Sequence, residues 1–336
     1  MVRIIVTILC AFIVGLILGK VYIPMLHALK AGQSIREIGP KWHSSKNGTP
    51  TIGGIIFITA MLVCVFAGIG NQEGDYTHLL VLAFALVFGA IGFIDDFFKV
   101  KYKRNLGLTA LQKLALQLVA SAVYLFVLAK MGNLTWDLYL PFANKTVYIA
   151  PVVYILFAVF VIVGCVNAVN LTDGIDGLAT GVTMPVMLFF LIVSVAAGRM
   201  SLALFPACLL GGLGAFLCYN FHPAKVFMGD TGSLFLGAAV CGMAFALDMP
   251  LVLILVGLIY IIETVSVMMQ VTYFKLTHGK RIFKMTPIHH HFEMCGWSEV
   301  KIFTVFVTVT VLMCALAWWG VSGRFGSFDG RKEYCH

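Results

Sequence analysis

Ten apolar runs separated by short polar breaks organise this 336-residue chain, at residues 4–26, 51–70, 78–95, 109–130, 148–168, 178–197, 202–219, 233–247, 250–272 and 300–321. Crossing about 30 Å of hydrocarbon takes roughly 20 helical residues at about 1.5 Å each, so most of these runs are long enough to span a bilayer. The pattern predicts an all-α integral membrane protein of about ten transmembrane helices. Two runs depart from it: the eighth is short, and the ninth carries Glu263 and Gln270. Both exceptions predict polar surroundings at one membrane face. Between the fourth and fifth runs, WDLYLPFANKTVYI alternates aromatic and polar residues around Pro-Phe-Ala-Asn, the pattern of a short outer β-hairpin near 136–149.

Composition narrows the class further. Hydrophobic residues make up 60% of the chain and charged residues 11%, with a mean hydropathy of +0.97. Soluble domains carry about 25% charged residues, so a soluble fold is excluded. No long polar block interrupts the runs, and a single polytopic membrane domain is expected over 1–336. The nine cysteines lie mostly inside apolar runs without a CxxC pair and read as small buried hydrophobes. The first run lacks a small-residue cleavage site and reads as a retained span. There is no Walker A sequence and no evident internal repeat, and no nucleic-acid partner is expected.

Charge sets the orientation. With ten spans, fourteen of the 23 Lys and Arg fall in loops or at span ends on one side and seven on the other, Lys20 and Lys301 being left out. Positive charge marks the cytoplasm, which places both termini outside. The cytoplasmic loops are then near 27–50, 95–108, 170–177, 220–232 and 273–299, and nearly all candidate chemistry lies in them.

The densest stretch is NAVNLTDGIDGLA, in which Asn167, Asn170, Asp173 and Asp176 recur every three residues. On a helix such neighbours share a face, so consecutive members are expected to converge on one ligand; a solvated turn is the plainer alternative. Asp95 and Asp96 repel each other unless a cation or a protonation shift relieves them. They read as a polar cap, or else as a general base or metal-associated acid, with the basic run Lys99–Arg104 attracting an anionic substrate or lipid heads. Gly229-Asp230-Thr231-Gly232-Ser233 opens span eight; free helix-start N–H groups favour phosphate, and Asp230 suits Mg²⁺. In Pro287–Glu293 (PIHHHFE), consecutive His289, His290 and His291 point in different directions and lack structural-zinc spacing, so diphosphate contact fits better. Lys46 in KNGTPTIGG can pair with phosphate, and Asn220 lies close in sequence to Asp230.

Taken together and in this order, KNGTPTIGG, FIDDFFK, NAVNLTDGIDGLA, MGDTGS and PIHHHFE resemble the phospho-N-acetylmuramoyl-pentapeptide transferase family of bacterial cell-wall synthesis. The resemblance runs from about Lys46 to Trp297. The aspartate motifs also occur across the wider polyprenyl-phosphate N-acetylhexosamine-1-phosphate transferases, and the triple histidine favours the muramoyl branch. Ile52 and Ile175 stand where Met and Leu are expected, and Val305-Phe306-Val307 where many members have Arg-Phe-Trp. The resemblance implies transfer of phospho-N-acetylmuramoyl-pentapeptide from its UDP carrier to undecaprenyl phosphate, giving lipid I and UMP. It further implies Mg²⁺ held by Asp230 with Asp173, and catalytic roles for Asp95, Asp96, Asp173, Asp230 and His289. Substrate contacts are implied for Lys46, Thr51, Lys113, Asn170, Asp176, Asn220, Phe227, Gln270, His289 and His290. A homodimer in the bacterial plasma membrane, among membrane lipids and with a cytoplasmic active site, completes the expectation. Two rivals stay open: a related transferase with another UDP-amino-sugar donor, separated by donor competition, and a transporter or channel, separated by UMP release.

Overall fold

The computed structural model describes residues 2–29, 48–66, 75–102, 104 and 106–325. Its helices are α1 (Val2–Ala28), α2 (Gly54–Cys64), α3 (Thr77–Tyr102), α4 (Ala110–Lys130), α5 (Pro151–Thr172) and α6 (Leu178–Ala196), then α7 (Met200–Asn220), α8 (Gly229–Ala246), α9 (Leu253–Val256), α10 (Leu258–Leu276), α11 (Ile288–Met294) and α12 (Glu299–Ser322). Between α4 and α5 lies the expected hairpin, β1 (Asp137–Leu140) paired antiparallel with β2 (Lys145–Tyr148), with Leu140 opposite Lys145.

The bundle is built around α8, whose residues from Thr231 to Ala246 are all buried. Its sequence, GDTGSLFLGAAVCGMAFA, explains how neighbours come so close. A methyl group on Gly232 would press on Gly54 of α2, one on Gly237 on the Val166 backbone of α5, and one on Gly242 on Val81 of α3. In reverse, Gly92 of α3 leaves no room for a side chain against the Asp230 carbonyl. Helices without a water-driven hydrophobic term associate through such small-residue contacts.

Among the described residues, eight helices are long and apolar enough to cross a membrane, and the pair Pro250–Val256 with Leu258–Leu276 makes a ninth if counted as one span. That pair is bent by 80°, where a straight ninth span was expected. The bend falls at Gly257, which closes α9 and opens α10; glycine carries little helical bias to resist it. α2 has 11 residues, fewer than its apolar run predicts. The eighth run starts four residues earlier than expected, so Asp230 lies within a helix.

End contacts show how the described helices run between the two ends of the bundle. The Gly54 N–H donates to the Met228 carbonyl at one end, whereas Thr77, starting α3, meets Arg199 between α6 and α7 at the other. α8 begins beside Asp96 and ends where Arg199 donates to the Ala246 carbonyl. The bent pair then returns the chain, since His289 of α11 packs on Gly174 at the first end. α12 starts there too, at Glu299 against the Asp176 N–H, and finishes under the hairpin, where the Phe142 N–H donates to Gly320. α1 runs parallel to α7, pairing Ile8 with Gly211 and Gly19 with Tyr219.

Candidate active site

Four helix ends deliver charged or amide groups to one point. The last turns of α3 carry Asp95, Asp96 and Lys99, the first turn of α8 carries Asp230, the first turn of α4 carries Lys113, and the last turn of α5 carries Asn170. α4 is aimed by a capping box: Thr109 accepts from the Gln112 N–H and the Gln112 side chain accepts from the Thr109 N–H. Just before it, the Leu108 N–H donates to Asp95 Oδ1 at 2.8 Å, and Gly107 lies so close to that carboxylate that no side chain would fit.

Asp95, Asp96 and Asp230 each offer an oxygen within 4.8 Å of the others. Lys99 Nζ lies 2.6 Å from Asp95 Oδ2, 3.0 Å from Asp230 Oδ2 and 3.7 Å from Asp96 Oδ1. Lys113 Nζ lies 2.6 Å from Asp230 Oδ2 and 4.0 Å from Asp95 Oδ2. Asn170 Nδ2 donates to the other Asp230 oxygen and to Ser233 Oγ, each at 2.8 Å. Three carboxylates thus share two ammonium groups. Hard carboxylate oxygens gathered around a cation are the donor set that suits Mg²⁺.

This grouping differs from the expected Asp173–Asp230 metal pair, because Asp173 is not in the trio. α5 ends at Thr172, and Asp173 caps it with its N–H on the Asn170 carbonyl. Burial pushes the Asp173 carboxyl up to about 8, with Asp230, Asp96 and Asp176 adding repulsion. The same helix end undoes the expected shared face. Asn167 pairs with Gln117 of α4 at 2.8 Å, Asn170 serves Asp230, and Asp176 faces elsewhere. Asp176 Oδ2 accepts from the Ala224 N–H at 3.0 Å and lies 2.9 Å from His222 Nδ1, while its own N–H donates to Glu299.

The start of α8 is also not an open phosphate nest. Asp96 Oδ2 accepts from both the Thr231 N–H and hydroxyl at 2.8 Å, and Gly232 N–H is spent on Met228. The Thr51 hydroxyl and the Asp96 carboxylate close around Gly229, whose positive φ of 68° suits glycine. Backbone pairing of Phe227 with Pro50 and Gly53 fixes that approach. Asn220 bridges Thr180 and the Val226 carbonyl, and Gln270 clamps the Ile282 and Phe283 backbone, so both serve the protein's own loops. The three histidines diverge as expected. His289 is fully buried with Nδ1 3.0 Å from Glu263 Oε1, though without hydrogen-bond geometry; His290 meets Glu293 at 2.6 Å, and His291 accepts the Lys284 N–H. Lys46 lies outside the described residues.

Lys99 is the site residue that motif reading passes over as part of a basic run. Its signal is helical spacing, since Lys99 lies three residues beyond Asp96 and four beyond Asp95. Gln117, His222, Glu299 and Glu263 gain their meaning only from long-range contacts.

The description "Glycosyl transferase family 4" belongs to a family model that matches residues 78–248. A phospho-N-acetylmuramoyl-pentapeptide-transferase of Clostridium perfringens (strain 13) is 50% identical over 323 residues, covering 94% of this chain and 98% of its own. Transferases of the same name from Carboxydothermus hydrogenoformans and Clostridium novyi are 48% and 47% identical, over 93% and 92% of this chain and 97% and 94% of theirs.

Proposed function

We infer the chemistry from one premise: the chain belongs to the phospho-N-acetylmuramoyl-pentapeptide-transferase family. It transfers phospho-N-acetylmuramoyl-pentapeptide from the UDP carrier to undecaprenyl phosphate, making lipid I and releasing UMP. The observation that carries a mechanism is the Asp95–Asp96–Asp230 trio shared by Lys99 and Lys113. Two anionic substrates must meet there, so positive charge has to be concentrated where phosphate oxygens gather.

Asp230, with Asp95 and Asp96, would hold Mg²⁺, and the trio's hard oxygens fit that ion. When bound, Mg²⁺ supplies charge neutralisation to the donor's diphosphate. Lys113 draws the donor phosphates towards Asp230. Asp96, with one oxygen holding the Thr231 N–H and hydroxyl, keeps α8 and hence Asp230 in register. Asp95 is oriented through Leu108, and its Oδ2 is the atom that takes the proton from undecaprenyl phosphate. An oxygen of that lipid phosphate attacks the donor phosphorus bearing the sugar, the bond to the UMP oxygen breaks, and UMP leaves. A phosphomonoester's second pKa is about 6, so a modest base suffices.

His290 and Lys46 remain the candidates for further phosphate contact, and His289, braced by Glu263, for shaping the Asp173–Gly174 loop. The site faces the cytoplasm in this reading, supported by the loop charges, and the protein works as a homodimer, supported by the family resemblance. The test is UMP release from purified protein with UDP-N-acetylmuramoyl-pentapeptide and undecaprenyl phosphate. Asp95→Asn should lose most activity at lower pH and regain part at higher pH, where the lipid phosphate is already ionised. Exchange of labelled UMP without lipid, or a phospho-sugar adduct on an aspartate, would replace direct attack with a double displacement.

A further inference from the structure

We propose that Lys99 is a built-in counter-cation, which holds the three carboxylates together until a divalent metal displaces it. The inference rests on the metal reading above and assigns Lys99 a role in controlling metal affinity. Among the described residues, Lys99 is the one cation within 4.0 Å of all three carboxylates, at 2.6, 3.0 and 3.7 Å. Lys113 sits to one side, on Asp230, with Asp95 at 4.0 Å. An ammonium is a compact point charge with three donors, and here it takes the place a dication would need. The two cannot share it, because like charges about 3 Å apart repel strongly in a site walled by protein.

Displacement is mechanically simple. The Lys99 side chain is 31% exposed, whereas those of Asp95 and Asp96 are 4% and 3% exposed. The carboxylates are tied by Leu108 and Thr231, but Lys99 is held at its tip by those carboxylates alone among the contacts described. Four flexible carbons let the ammonium leave while α3, which continues to Tyr102, stays in place. Once displaced, it is a free cation beside the metal, suited to an anionic phosphate oxygen. Metal and diphosphate binding are then linked, each making room for the other.

The experiment uses full-length protein in detergent, without substrate, and Mn²⁺ as a paramagnetic probe followed through the free-ion signal. Lys99→Gln should bind Mn²⁺ roughly tenfold or more tightly than wild type, because one competing positive charge has gone. Lys99→Arg should keep the weak wild-type affinity, which separates loss of charge from loss of the native side chain. In chelator, Lys99→Gln should melt below wild type, and Mn²⁺ should raise its melting temperature by a larger increment. Equal or weaker Mn²⁺ binding in Lys99→Gln, or tight binding in Lys99→Arg as well, would overturn the role of Lys99. If wild type shows no saturable Mn²⁺ binding, or Asp230→Asn binds as well as wild type, the metal reading fails instead.

Discussion

The two ends of α8 carry polar clusters of opposite character. At its C-terminal end, Arg199 meets Asp75, Thr77, Asn133 and the Ala246 carbonyl, so each charge has a partner of opposite sign or a polar acceptor. Nearby, Arg324 lies within 3.9 Å of Asp248, which also accepts from the Thr135 hydroxyl. At the N-terminal end, three carboxylates crowd round two lysines, with a fourth, Asp173, held mostly protonated near neutrality. Both clusters suit the helix dipole, an arginine at the carbonyl end and carboxylates at the amide end. They differ in balance. The first is what folding favours for its own sake. The second is held against its own repulsion by close-packed glycines and buried neighbours, and such crowding marks a site built for a ligand.

This contrast predicts that damage at one end removes chemistry and damage at the other removes stability. The largest effect is expected for Asp230→Asn, which should lower UMP release by about 10³-fold with little change in melting temperature. Comparable turnover in the variant would break the comparison at its centre. Next comes Gly92→Ala, whose methyl overlaps the Asp230 carbonyl and must push α8 away. A displacement of about 1 Å costs on the order of 10²-fold in rate, so kcat should fall by roughly that factor. At the other end, Arg199→Met should lose about 1–3 kcal/mol of stability, read by thermal unfolding in detergent, while kcat stays within about twofold.

The smallest effect sharpens the contrast through pH. Asp173 is pushed up to about 8 by burial and then by Asp230, Asp96 and Asp176. Asp75 goes the other way: burial alone would raise it, but its hydrogen bonds from Thr77 and the Arg199 charge bring it below the ordinary value. In metal-free protein the Asp173 contribution is fully present below the unfolded carboxylate value of about 3.9 and is lost as pH climbs through about 8. The Asp75 contribution is present above about 3.9 and is lost as pH falls through its lowered folded value. Melting curves in chelator should therefore flatten on the alkaline side for Asp173→Asn and on the acid side for Asp75→Asn. Slopes parallel to wild type in both variants would show that the two ends are electrostatically alike.

Much of this was legible in the chain because a membrane forces long apolar runs, and polar residues at their ends must be justified. The long membrane-crossing helices, the hairpin and the gathering of Asp95, Asp96 and Asp230 all follow from that logic. The three-residue spacing from Asn167 to Asp176 misleads, because periodicity carries meaning only while the helix lasts and α5 stops at Thr172. The break at Gly257 has no local signature, since Gly237 and Gly242 lie in an unbroken α8 and serve packing instead. The commitment of Thr231 to Asp96 and of Gln270 to the 282–283 backbone joins residues far apart or across a loop, which no sequence period records.

The enclosure of α8 bears on how the protein meets bilayers of different thickness. Its 18 residues rise only about 27 Å, slightly less than a typical hydrocarbon core of about 30 Å. A lipid-facing helix of that length would feel mismatch directly and relieve it by tilting or by thinning the membrane. α8 has no lipid neighbours to feel. The helices that expose broad apolar faces, among them α1, α4, α5 and α12, have 21 to 27 residues and carry that adjustment. Thickening or thinning the bilayer should thus tilt the outer ring while the carboxylate-bearing core keeps its shape.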